Sequence, residues 1–307
     1  MRLSYKWLQE YVDLSDITPQ QLADKLTTAG LEVEGIEPMA QGTGLVIAEV
    51  IECEDIPDTH LHRTIVRYGA GENDTTQIVC GAPNCRLGLK VIAALPGAVL
   101  PGITIQAKPL HGIESNGMLC SLRELGIDHK YLTEKQINGI EELPEDAPVG
   151  ETNVLGYIGY DDTILDVALT VDRAYCLSMW NMAKEVGAIL HREVKWPDYA
   201  GKSNIGTPST FKVTSNTEKC DFFMGKVVNH VKVGPSPKWM VEYLHAAGIN
   251  SINNVVDISN FVMLETGQPL HYYNLAKLPT REITVVDDRQ LKITALDGVE
   301  FAIEKGD

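Results

Sequence analysis

The sequence predicts an α+β multidomain chain in which a small closed β-barrel is inserted into a discontinuous α/β module and followed by a further α+β segment. Three observations predict it. Short apolar runs at 77–80, 90–94 and 103–107 are punctuated by Gly81, Pro83, Gly88, Pro96, Gly97, Pro101 and Gly102, as the corners of a small barrel require. With the runs at 44–53 and 63–68 they make about five strands, the number an OB-fold uses. The helices and strand that precede them are too short to build a core, and their complement appears only after residue 152.

Taken in order, Leu3, Trp7, Leu8, Tyr11 and Val12 fall at helical spacing and predict one apolar face. A second helix opens at Thr18, an N-cap, with Pro19 in the first turn and Gln21 closing a capping box. Leu22, Leu26 and Ala29 carry its apolar side, and Gly30 stops it. Leu31-Glu-Val-Glu-Gly-Ile-Glu alternates and predicts a strand. The barrel occupies 39–151, with the acidic, proline-bearing tract 141–150 as its exit. A strand at 163–169 and a helix at 176–190 then complete the module, assigned to 1–38 plus 152–195. Two unrelated small domains on either side of the barrel would produce the same pattern. Residues 196–210 are rich in turn formers and predict a linker. The last segment, 211–307, begins with strands at 210–215 and 222–228. A helix follows Ser236-Pro237, carrying Trp239, Met240, Tyr243, Leu244 and Ala247 and ending at Gly248. A strand at 291–294 leads into a turn at Asp297-Gly298.

Composition narrows the function. At 44% hydrophobic and 22% charged, 307 residues suit two or three soluble domains. The chain has no run approaching the roughly 20 apolar residues of a membrane span, and its start lacks a signal-peptide core, so a cytoplasmic protein is expected. The six cysteines show no Cys-x-x-Cys or zinc spacing, which predicts reduced thiols and no metal site. A net charge of −16 opposes bulk attraction to nucleic acid. Between His60 and Lys135, however, eight basic residues (Arg63, Arg67, Arg86, Lys90, Lys108, Arg123, Lys130 and Lys135) outnumber six acidic ones, leaving room for one basic face with weak, salt-sensitive pull.

Two strings sharpen this: Cys80-Gly-Ala-Pro-Asn84 and Glu114-Ser-Asn-Gly-Met-Leu-Cys120. Ser115 and Asn116 supply compact donors and acceptors for a sugar or phosphate, Gly117 allows close backbone approach, and an unpaired base can stack beside them. Ser-Asn-Gly also serves as an ordinary turn, and Met118 and Leu119 as core. The two strings resemble the tRNA-binding OB domain of methionyl- and phenylalanyl-tRNA synthetases over residues 44 to 127. That resemblance implies Asn84, Arg86, Ser115, Asn116, Gly117 and Met118 as tRNA-binding residues.

Further on, Asn253-Asn-Val-Val-Asp257, Ser259-Asn-Phe-Val-Met263 and Gly267-Gln-Pro-Leu-His271 resemble the editing domain of the bacterial phenylalanyl-tRNA synthetase β-subunit family. Trp7-Leu-Gln-Glu-Tyr-Val12, Ala29-Gly-Leu-Glu-Val-Glu-Gly35 and Asp172-Arg173 before Cys176-Leu-Ser178 match the same family. The resemblance implies an incomplete α+β editing domain of the B3/B4 type over 211–307, with Ser259, Asn260, Pro269 and His271 as a partial pocket that hydrolyses mischarged Tyr-tRNA. No catalytic set is complete, and a histidine after proline at a turn is more often a structural residue. The resemblance further implies an N-terminal portion of a longer ligase subunit, inactive alone, partnered by tRNA(Phe) and an α subunit in a heterotetramer. ATP and magnesium would serve the full enzyme, with no cofactor in this segment. Departures include Asn250 for the usual Arg, Tyr272-Tyr-Asn274 for Ala-Phe-Asp, and Ala295 for Thr. A diverged, non-catalytic RNA- or protein-binding scaffold is the alternative.

Overall fold

The computed structural model describes residues 1–71, 73–197, 209–278, 280–295 and 298–307. Most of the expected linker at 196–210, and Asp297 of the expected turn, lie outside them. Packing divides the chain into two units, 1–196 with 235–270, and 197–234 with 271–307.

The first unit holds a three-stranded antiparallel sheet whose middle strand is the last in sequence. Thr163–Val167 lies between Arg2–Ser4 and Val33–Pro38, with Leu165 opposite both Leu3 and Ile36. Leu3, Leu165 and Val167 point into one core with Trp7, Leu22, Leu26, Met179, Met182 and Val186. Helix Pro19–Thr28 starts as expected, Thr18 and Gln21 forming both halves of the capping box. The first apolar stretch splits into strand Arg2–Ser4 and a one-turn helix Tyr5–Leu8, because the Ser4 side chain accepts from the Trp7 N–H and caps the turn there. Helix Met179–Leu190, capped by Ser178, supplies the opposing face.

Two helices from the segment assigned to 211–307 close over this core. Lys238–Ala246 contributes Met240 and Leu244, and Asn254–Thr266 contributes Phe261. Trp7, 1% exposed, is sandwiched between Tyr243 at 4.9 Å and Phe261 at 5.0 Å, both rings nearly parallel to it. Its indole N–H donates to the Tyr11 hydroxyl at 3.1 Å, which donates in turn to the buried Glu265 carboxylate at 2.7 Å. By packing, residues 235–270 thus group with 1–196 rather than with the remainder of the expected third segment.

The inserted part is a six-stranded antiparallel sheet in the order Met118–Leu119, Lys90–Leu100, Thr43–Asp55, His62–Arg67, Thr75–Cys80, with Ile103–Thr104 also on Lys90–Leu100. Along Thr43–Asp55 the side chains alternate between two cores: Leu45 and Ile47 pack with Leu122 and Leu125, Val46 and Val50 with Val66 and Ile78. The two ends of the insertion run side by side. Ile47 N–H donates to Glu151 O and Gly150 N–H to Ile47 O, both at 2.9 Å, while Met39 N–H donates to Asp162 O at 2.9 Å. Gly44, with φ +69°, sits where an added Cβ would lie 2.9 Å from Ala98 Cα, so this entry point needs glycine.

In the second unit, Lys212–Ser215 pairs in parallel with Glu282–Val285, and Leu291–Thr294 with Glu300–Ile303. The strand expected at 222–228 does not form. Phe222, Met224 and Val228 are exposed, and no neighbouring strand offers that stretch a ladder among the described residues.

Replacing Trp7 by Ala removes the aromatic that both late helices cover. The variant is expected to lose about 3–5 kcal/mol, read as a lower urea midpoint. A loss below about 1 kcal/mol would show that the sandwich contributes little.

Candidate nucleic-acid interface

Beside the Ser-Asn-Gly-Met string lies a groove of about 700 Å³, lined by Cys80 to Pro83, Ile103 to Gln106, Lys108, Leu110, Ser115, Gly117, Met118, Ser121, Glu124 and Ile137 to Ile140. Backbone turns shape it. The hairpin Lys108–Leu110 with Ile113–Ser115 turns through His111 and Gly112, both at positive φ. Ser115 is buried; its hydroxyl accepts from Val79 N–H at 3.0 Å and donates to Gly117 O at 3.2 Å. Gly117 has φ +137°, and an added Cβ would lie 2.7 Å from Ala94 O. A side chain at 117 would therefore crowd the neighbouring strand, so this part of the groove wall needs glycine. Asn116 N–H donates to Gln77 O at 2.8 Å, and its side chain makes no hydrogen bond among the described residues. Met118 is half-buried on the wall.

Asn84 and Arg86 both bond to the stretch around Ile140 and Glu142. The Asn84 amide both accepts from Ile140 N–H (3.0 Å) and donates to Ile140 O (2.9 Å) and the Glu142 carboxylate (3.1 Å). Arg86 pairs with Glu142 at 2.8 Å and Lys135 with the same carboxylate at 3.0 Å. The Arg86 guanidinium, with Asn84 and Lys135, holds the Glu142 carboxyl down to about 2. These side chains clamp the wall that Gly139 and Ile140 form.

Ion pairs also consume most of the basic residues in this part of the chain. Arg63 pairs with Glu52 and Glu54, Arg67 and Lys90 with Glu49, and Lys130 with Asp128. Among the described residues, Lys108 and Arg123 form no ion pair, and Lys108 lines the groove. Ile103 and Leu110 expose apolar surface there, 49% and 36%. Among the described residues no aromatic ring lines the groove, so a base would meet aliphatic side chains rather than a stacking platform. Lys108 was visible in the sequence only as one basic residue among eight; its freedom depends on pairings that no sequence pattern displays.

The residues expected of the partial pocket divide between the two units. Ser259 and Asn260 lie on helix Asn254–Thr266, where the Ser259 hydroxyl donates to Val256 O at 2.7 Å and Asn260 is half-buried. Pro269 is exposed in the first unit and His271 in the second. Asp257, which the sequence offered only as the last residue of a motif, anchors that helix. Asp257, fully buried, accepts from the Ser236 and Ser251 hydroxyls and from Ile252 N–H. Burial pushes its carboxyl up, but these donors outweigh it and hold it below the usual range.

Two protein-family models match the chain: "Putative tRNA binding domain" over residues 45–152 and "B3/4 domain" over 219–307. Relatives named "Phenylalanine--tRNA ligase beta subunit" match throughout. That of Streptococcus pneumoniae serotype 4 is 40% identical over all of this chain, that of Geobacillus kaustophilus 44% over 98%, and that of Bacillus thuringiensis subsp. konkukian 43% over 99%. In each case the chain spans 38% of the relative's length.

The Glu142 clamp sets an acid dependence. Its folded value lies below the ordinary 4.5, so its stabilisation is complete above 4.5 and is lost as pH falls towards about 2. Glu142→Gln should lower the urea midpoint at pH 7 and converge with the unsubstituted protein at the acid end. A difference independent of pH would rule out the carboxylate as the source.

Proposed function

We propose that this chain is a tRNA-contacting and editing portion of a phenylalanine–tRNA ligase β subunit, the protein named for each of the relatives above. The observation that carries the proposal is identity of about 40% along the whole chain, with the tRNA-binding and B3/4 matches in that order. In this reading 39–151 is an OB-type barrel set into a module of 1–38 and 152–195, and 211–307 is the N-terminal part of the editing domain. Support for barrel closure comes from Asn116 N–H donating to Gln77 O and the Gln77 amide donating to Glu114 O, both at 2.8 Å, which tie the last hairpin to Thr75–Cys80.

The groove then takes an unstacked nucleotide of tRNA(Phe). Lys108 meets a phosphate, the Asn116 amide and Ser121 meet sugar or base edges, and Ile103 and Leu110 give apolar cover. Ser115, Gly117, Asn84 and Arg86 hold the walls rather than touch RNA. Ser259, Asn260, Pro269 and His271 would contribute to the site that clears mischarged tyrosine, by placing an ester and a water among polar groups. The α subunit, ATP and magnesium belong to the whole ligase. Among the described residues no group of three or more His, Cys, Asp or Glu side chains could hold a metal, and no step is assigned to one. No described helix is long and apolar enough to cross a membrane.

Binding of a tRNA(Phe) transcript to the 307-residue chain, measured across a salt series, tests this. Affinity should fall as salt rises, and Lys108→Ala should weaken binding and reduce the log–log slope by about 1. A slope near zero, or one that Lys108→Ala leaves unchanged, would favour a scaffold role, to which the −16 charge and the paired basic residues also incline.

A further inference from the structure

We propose that Glu124 makes the groove selective for guanine, so that the nucleotide it admits is a G rather than a U. The inference rests on the groove being the RNA site and carries that reading from RNA to one base. Among the described residues that line the groove, Glu124 is the one carboxylate and Lys108 the one ammonium, and neither forms an ion pair. The local sequence fixes the carboxylate. Ser121 and Glu124, three residues apart, form one half of a capping box: the Ser121 N–H donates to Glu124 Oε2 at 2.6 Å and the Ser121 hydroxyl to the same oxygen at 2.9 Å. Leu122 and Leu125, both buried in the core behind, anchor the turn on either side of it. Leu125 N–H and Ile127 N–H both donate to Leu122 O at 3.2 Å, which closes the turn. With Oε2 taken up by Ser121, Glu124 Oε1 makes no hydrogen bond among the described residues.

An ionised carboxylate accepts hydrogen bonds and cannot donate them, so the ligand must bring the donors. A phosphate brings none and is repelled; it belongs at Lys108. The base edges differ in what they bring. Uracil offers one N–H between two carbonyl oxygens, both of which a carboxylate repels. Adenine and cytosine offer one amino group beside an acceptor nitrogen. Guanine alone sets two donors side by side, the ring N1–H and the 2-amino group, with its carbonyl oxygen on the far side of N1–H. Each donor to an ionised acceptor makes a bond roughly twice as strong as a neutral pair, so the edge with two adjacent donors gains most from Glu124. Single-stranded RNA exposes that edge, because its bases are unpaired and can be splayed out. The aliphatic side chains of Ile103, Leu110 and Met118 cover the face of any base alike and contribute nothing to the choice.

Fluorescently labelled single-stranded RNA hexamers, all uridine except for G, inosine, A, C or U at the third position, test this by anisotropy titration with the full chain at low salt. The G hexamer should bind about tenfold more tightly than the U hexamer, and the inosine hexamer, which lacks the 2-amino group, should fall between them. Glu124→Gln should bring G and U to within about twofold of each other, strengthening U while weakening G. Loss of the turn alone would weaken both. Lys108→Ala should weaken all the hexamers and leave the preference for G. Equal binding of G and U, inosine equal to G, or a preference for A or C would overturn the base assignment, and the unsubstituted chain decides this even if Glu124→Gln fails to fold. In that event hexamer binding that Lys108→Ala weakens still upholds the groove as the RNA site. Binding of no hexamer, or binding that Lys108→Ala leaves unchanged, would overturn the groove's reading and the base assignment with it.

Discussion

Everything in the first unit depends on one ladder, in which Thr163–Val167 is held on one edge by Arg2–Ser4 and on the other by Val33–Pro38. The middle strand arrives more than a hundred residues after its neighbours, so the intervening chain must leave and return at nearly the same place. Paired backbone at Ile47, Gly150 and Glu151, and the Met39 to Asp162 bond, meet that demand. Asp162 joins the two sides. Its buried carboxylate accepts from the Ser4 hydroxyl, from Lys6 N–H at 2.9 Å and from Thr163 N–H at 2.7 Å. The residue that caps the first helix is therefore tied to the point where the insertion ends.

The inserted sheet turns this scaffold into a surface. Because Thr43–Asp55 is buried on both faces, the sheet has little freedom to slip register, and its loops are presented from a fixed frame. The groove is built from those loops. Near it, the polar groups of Ser115 and Asn84 bond within the fold, while Lys108 and the Asn116 side chain make no ion pair or hydrogen bond among the described residues. A chain of charge −16 can still approach RNA at one point, provided the neighbouring acids are occupied by arginine and lysine.

Much of this was legible in sequence wherever a local rule was decisive. Thr18, Pro19 and Gln21 announce a helix through contacts made within one turn, and Gly and Pro punctuation announces the small sheet. Legibility failed where the decision was tertiary. Arg2–Ser4 is too short for a period and is a strand only because Leu165 lies opposite Leu3. Asn254–Thr266 carries Val255, Val256 and Ile258 beside polar residues in a mixed pattern, and its helix is anchored by Asn253 at the N-cap and Asp257. At 222–228 apolar residues suggested a strand, but a strand needs a partner, and none is present among the described residues. In the site, the packing of the residues read for RNA contact was not legible from residue type: Asn84 bonds Ile140, and Gly117 lines the groove where a side chain would crowd Ala94.

The most direct test of this architecture is native-state hydrogen exchange on the 307-residue chain. The amides of Arg2–Ser4, Val33–Pro38 and Thr163–Val167 should be protected together and open with one free energy, since none has a sheet without the others. Exchange of Thr163–Val167 at the rate of an unpaired loop, with Val33–Pro38 still protected, would contradict it.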